Sequence, residues 1–205
     1  MFLHHVQTGE GFQRATLSKS IHQLYPSLPF EEQPVDKIKD HLKIAVVRGP
    51  VGRILSAYAN KIVEDHCLHR PTVRLRCKVR GLSLDPTFEE FVTHLSGYRR
   101  VSRIIESHTQ PLSYFLGEDP TWFDHIISMK HMDIFRHVVI EQTGVRVPLG
   151  HKNKAKTKRK TADVDIQVRQ ILRKRYESDF DIFRPYFSKL AKNNPLGQPH
   201  KASPA

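Results

Sequence analysis

Only two cysteines, Cys67 and Cys77, occur in the 205 residues. That is too few for a disulfide framework, and the expected compartment is a reducing cytoplasm. No apolar run approaches the roughly 18–20 residues of a membrane span. The opening "MFLHHVQTGE" has neither the basic start nor the long apolar centre of a secretory signal. Acidic residues are in deficit, 21 Asp and Glu against 33 Lys and Arg, for a formal net charge of +12. The partner is therefore expected to be anionic. Nucleic acid, a membrane surface, a nucleotide and a polyanionic sugar all share that sign. The basic run "HKNKAKTKRK" carries no interleaved aromatics for base stacking, and no recognition-helix or zinc-finger pattern appears. A basic nucleic-acid-binding module is the weakest of these readings. No internal repeat is present.

What is there reads as one soluble globular domain, with 39% apolar and 26% charged residues. "FQRATLSKSIHQLY" spaces Phe12, Ala15, Leu17, Ile21 and Leu24 as a helix. "LKIAVV" is a continuous β-branched run, the mark of a strand buried on both faces. Val51, Ile54, Leu55, Tyr58, Ala59 and Ile62 then repeat at helical spacing, with Pro50 in the first turn, where proline is tolerated. Residues 66–86 look irregular and basic. "DPTFEEFVTHLSGY" turns Phe88, Phe91, Val92 and Leu95 to one face of a helix. "RIIESHTQPLSYFLGEDPTW" shows no period and is too long for an idle connection. "FDHIISM" reads as a second buried strand, and "MDIFRHVVIEQTG" as a helix ended by Gly144. A last helix turns Val164, Val168, Ile171, Leu172 and Tyr176 inward. This alternation predicts an α/β domain over 1–190, a central parallel sheet flanked by helices, with a frayed tail at 191–205.

In such a domain ligands sit beyond the carboxyl ends of the strands. Two segments fall there. "VQTGEGF" has the glycines and the following helix that let backbone N–H groups approach a phosphate, although an ordinary tight turn would look the same. It is not a Walker A loop, since no Gly-Lys-Ser/Thr follows. "RGPVGRILSAY" is more specific. Arg48 at the strand end and Ser56 on the helix converge on one phosphate if the helix starts at Pro50, with Arg53 on the face of Ser56. The competing reading pairs Arg48 with Asp65 or Asp40. His66, Cys67, His69 and Cys77 match no standard zinc spacing, so neither zinc nor a Cys67–Cys77 disulfide is expected.

"VVRGPVGRILSAY" resembles the "VRDP-x-x-R-x-x-S-x-Y" element of the sulfotransferases that use 3′-phosphoadenosine 5′-phosphosulfate (PAPS). Other segments follow in the family's order. "FLHHVQTGEGF" stands at its 5′-phosphosulfate loop, and "TFEEFVTHL" is similar to a helix of the membrane-type carbohydrate branch, the family 2 sulfotransferases. "SHTQPLSYFL" occupies the acceptor-contact segment, "FDHIISMKHM" the later strand, "VPLGHKNKA" a cofactor loop and "RKRYESDFDIF" the closing "Y-x-x-D-F-x-x-F". The resemblance spans residues 2–187. It implies a P-loop-like nucleotide-binding fold, PAPS as cofactor with PAP as its product, no metal, and a hydroxyl-bearing acceptor of carbohydrate type. In its light Arg48 and Ser56 hold the 3′-phosphate. Gln7, Thr8, Gly9, Glu10, Gly11 and Phe12 hold the 5′ end, and Lys154 is a further cofactor contact.

The departures are specific. Gln7 stands where the family has its loop lysine, Gly11 and Phe12 where it has hydroxyl residues, and Lys130 where an acidic residue is common. A missing cation at the leaving group weakens catalysis more than binding. Lys19 or a basic residue of 152–160 is the available substitute, and that basic run otherwise reads as a solvated loop or a flap over the anion. The base that takes the acceptor proton is expected to be His108, in "ESHTQP", with Glu106 second; an idle surface histidine is the alternative for His108. The acceptor and oligomeric state have no readable code. A cytoplasmic enzyme is expected, the alternative being the lumenal catalytic part of a Golgi-type enzyme.

Overall fold

The computed structural model describes residues 27–146 and 160–187. The expected helix from Phe12, the loop Gln7–Phe12, Lys19, Lys154 and the tail lie outside them. In chain order the elements are α1 (Val35–Ile38), β1 (Ile44–Val47), α2 (Pro50–Ala57), α3 (Pro71–Val79), α4 (Phe88–Thr93), α5 (Leu95–Val101), α6 (Arg103–His108), α7 (Leu112–Leu116), β2 (His125–Ser128), α8 (Met132–Thr143), α9 (Ile166–Arg175) and α10 (Glu177–Phe183).

β1 and β2 pair in parallel, Ile44 against His125 through Val47 against Ser128. At their amino ends Asp124 accepts the Lys43 backbone N–H at 2.7 Å and pairs with its ammonium at 3.2 Å. Val47 packs with Leu112 and Phe183 on one face. Ile44 and Val46 face Phe135 and Val139 of α8 on the other. Both faces of β1 are thus covered as expected, although Ile44 and Val46 stay only half-buried. This is an α/β domain with a small parallel sheet. Its largest core, however, is helical: Ile54, Leu68, Phe88, Phe91, Ile105 and Leu172 pack together away from the strands.

Local chemistry explains the helices that were expected. Pro50 opens α2 at its first position, and the chain continues as a π-helical stretch over Tyr58–Glu64. Thr87 and Glu90 form a reciprocal capping box at α4, whose Phe88, Phe91 and Val92 are buried with Leu95 behind them. Gly144 ends α8 at φ 70°, a left-handed conformation suited to glycine.

Three expectations are corrected. Residues 66–86 are not irregular: they contain the short 3-10 turn Cys67–His69 and helix α3. That helix buries only Cys77, while Leu75 and Val79 are 65% and 76% exposed, so it leaves no apolar stripe to read. The aperiodic segment 103–122 holds α6, α7 and a 3-10 turn, each too short to display a period. The last helix breaks at Tyr176 (φ −116°, ψ 35°), and Ile171, expected inward, is 37% exposed. Among the described residues no helix is long and apolar enough to cross a membrane.

Candidate cofactor and acceptor site

Parallel pairing places the carboxyl ends of β1 and β2 side by side, and the residues that follow them, Arg48 and Met129, line one cavity of about 220 Å³. Helix α2 contributes Arg53 and Ser56, the π-helical stretch Asn60, and the end of α6 His108. Arg48 and Ser56, from one stretch of sequence, and His108, from a stretch about fifty residues on, therefore line one opening.

Arg48 is half-buried, and desolvation alone holds its guanidinium below the usual arginine range. Among the described residues it has no ion-pair partner. Asp65, one of the carboxylates considered for it, instead pairs with Lys61 at 2.7 Å. The Arg48 side chain folds back across the buried Gly52: a Cβ built there would lie 2.8 Å from Arg48 Nε. Glycine at position 52 thus leaves the space in which the guanidinium rests.

Arg53 has a different task. Its Nη2 donates to the Gln110 carbonyl at 2.7 Å and its Nη1 lies 3.6 Å from Asp179 Oδ2. Asp179 is 0% exposed and accepts the Leu112 and Ser113 backbone N–H groups at 2.8 and 3.1 Å. Burial pushes the Asp179 carboxyl up, against the pull of those two amides and of Arg53. Three residues earlier, the Tyr176 hydroxyl donates to the Thr109 carbonyl at 2.7 Å. The "Y-x-x-D-F-x-x-F" segment is therefore a latch: Tyr176 and Asp179 hold the chain that follows His108 against α2.

His108 is exposed, and its Nδ1 lies 2.8 Å from the Ile104 carbonyl and 3.2 Å from Ser107 Oγ. Donation from Nδ1–H to that carbonyl leaves the ring lone pair on Nε2, the tautomer a proton acceptor needs. Glu106 lies on the same helix but lines two neighbouring cavities rather than the one holding Arg48. One of these, about 750 Å³, is shared with His108, Gln110 and Tyr114. The other, about 680 Å³, is lined by Arg76, Arg99, Arg100 and Arg103.

A family model described as "Sulfotransferase family" matches residues 7–187. The chain belongs to the sulfotransferase family. Comparison with curated proteins and with solved structures finds no match to it. In this sulfotransferase-family chain the matched span begins at Gln7 and ends at Phe187, so it takes in the segments expected to bind the cofactor as well as the latch.

Asn60 and Gly52 are residues that sequence reading passed over. Asn60 lines the cavity one turn beyond Ser56, and its side-chain oxygen is buried with no hydrogen bond among the described residues. Its i+4 relation to Ser56 was the available signal. For Gly52 the same i+4 relation, to Arg48, was present.

Two buried tyrosines tie the stability of this sulfotransferase-family protein to alkaline pH. Burial pushes the hydroxyls of Tyr98 and Tyr176 from 10.0 up to about 12. Between these values the unfolded chain releases protons that the folded one keeps. Stability is thus fully present below pH 10 and falls as pH rises through about 12, by roughly 2–3 kcal/mol per tyrosine at most. Urea titrations at intervals from pH 9 to 12 should show this fall, and Tyr176→Phe should make it shallower. An unchanged slope in that variant would assign the loss to other groups.

Proposed function

We propose that this protein transfers a sulfonate from PAPS to a hydroxyl of a carbohydrate or similar small acceptor, as a member of the carbohydrate-acting branch of its family. The observation that carries the reading is Arg48, a half-buried cation without an ion-pair partner among the described residues, in one cavity with the Ser56 hydroxyl. A phosphate monoester supplies the missing anion: the guanidinium offers a planar fork of donors and serine a neutral one. The residues present fit the 3′-phosphate of the cofactor.

When bound, PAPS supplies an activated sulfonate on a phosphate leaving group. The chain does the remaining work by positioning and electrostatics. Arg48 and Ser56 hold the 3′-phosphate, the backbone of Thr8–Phe12 and Gln7 the 5′ end, and Lys154 adds positive charge. His108 Nε2 accepts the proton of the acceptor hydroxyl, with Glu106 as the second candidate base. The arginine-lined cavity shares Arg103 and Glu106 with the cavity at His108, which supports an acceptor carrying a carboxylate or sulfate.

Gln7 favours a second reading, in which PAP, PAPS or other polyanions bind without efficient transfer. The test is sulfonate transfer from PAPS to neutral and carboxylated glycans, read by mass spectrometry, beside calorimetry with PAP. Transfer by the wild type is expected, with kcat lowered roughly 100-fold or more in His108→Gln at unchanged PAP affinity. Equal rates in the two proteins would remove His108 as the base. PAP binding without transfer, rescued by Gln7→Lys, would establish the second reading.

A further inference from the structure

His66, His69 and Asp85 meet on the surface, apart from the residues of the candidate site. One ligand atom from each lies within 4.8 Å of the other two, and His69 Nε2 is 2.8 Å from Asp85 Oδ1. The two imidazoles face each other edge to face, with ring centroids 5.8 Å apart. His66 is held at φ 44°, the one non-glycine residue with positive φ among the described residues. That turn sends its ring toward His69, three positions on. Cys67 and Cys77, which the sequence placed beside these histidines, are fully buried and take no part.

We propose that His66, His69 and Asp85 form a surface binding site for a divalent transition metal, zinc above all. Two imidazole nitrogens and one carboxylate oxygen are a ligand set zinc accepts, with a water completing the tetrahedron. The carboxylate also offsets part of the ion's charge. Ligand atoms around a tetrahedral zinc stand roughly 3.3 Å apart. His66 therefore closes in, while His69 Nε2 and Asp85 Oδ1 open from 2.8 Å and give up the proton between them to solvent. All three side chains are exposed, which permits those rotations. The ion would replace the His69–Asp85 contact with a stronger link between the same two pieces of chain. One is the turn that follows α2 and its π-helical continuation. The other is the loop leading into the Thr87 capping box. Bound there, the ion would tie the segment after the helix that bears Ser56 to the start of α4.

The experiment uses the full chain stripped of metal with a chelator. Zinc is then titrated while thermal unfolding is followed, on wild type, His69→Ala, Asp85→Ala and His66→Asn. Asparagine tolerates the left-handed backbone at position 66, which separates loss of a ligand from loss of the turn. The wild-type Tm should rise by roughly 5–10 °C at free zinc near 100 times Kd, and each variant should lose most of that rise. Cobalt should give the visible absorption of a low-symmetry site in the wild type only. Wild-type unfolding unmoved by zinc, or moved equally in all four proteins, overturns the proposal, since the chain's other histidines would then account for any binding.

Discussion

Arg48→Ala is expected to weaken PAP binding by roughly 100-fold or more while leaving the protein folded. Truncating one member of a desolvated, hydrogen-bonded charge pair removes about 2–5 kcal/mol of binding, and each 1.4 kcal/mol is tenfold. The fold should not suffer. Arg48 has no ion-pair partner among the described residues, so its loss strands no carboxylate there, and the desolvation it now bears disappears. Gly52→Ala is the companion. Its new Cβ would meet Arg48 Nε at 2.8 Å and displace the guanidinium. Alanine favours a helix interior over glycine by roughly 0.5–1 kcal/mol, so stability should hold or rise while PAP affinity falls about tenfold. Calorimetry and thermal unfolding on the same preparations separate the two effects. Undiminished PAP affinity in Arg48→Ala would remove this residue from the cofactor site.

Asp179→Ala should be the most destabilising single change in the latch. It leaves the Arg53 guanidinium buried without its carboxylate and the Leu112 and Ser113 amides without their acceptor. Breaking a buried pair on one side typically destabilises by about 3–5 kcal/mol. At about 2–4 °C per kcal/mol for a chain of this size, Tm should fall by on the order of 10 °C. Asp179→Asn keeps one acceptor oxygen and should lose less. The latch also holds the segment after His108, so transfer should weaken in Asp179→Asn even where the protein remains folded. Melting of Asp179→Ala at the wild-type temperature would show that the pair contributes no net stability and that packing of Phe183 holds α10 instead.

These two predictions differ in how far the sequence anticipates them. Arg48 and Ser56 are legible because a buried strand, a Gly-Pro turn and a helix are local, and their spacing sets which side chains share an end. The partner of Arg53 is not. Asp179 belongs to a motif at the far end of the chain, and nothing in its spacing says that it accepts two amides 67 positions away or 66. His108 stands in an aperiodic segment, whereas its place on the cavity of Arg48 follows from α6 packing against α2. The four-residue zinc pattern that the sequence discouraged is absent as such, because Cys67 and Cys77 turn into the core. Asp85, 16 residues beyond His69, takes their place.

The order of residues alone settles the strands, the Pro50 helix start, the Gly144 stop, the basic character and the family resemblance. The first three depend on neighbours within a turn or a strand length, the last two on composition and on the order of segments along the chain. Folding settles the rest: the helical centre of the core, the division of labour that commits Arg53 to Asp179 and leaves Arg48 toward the cavity, and the meeting of His108 with Ser56. These depend on pairs such as Arg53 with Gln110, 57 positions apart, and Tyr176 with Thr109, 67 apart. Burial, not spacing, decides which charged and polar groups must find one another across such distances.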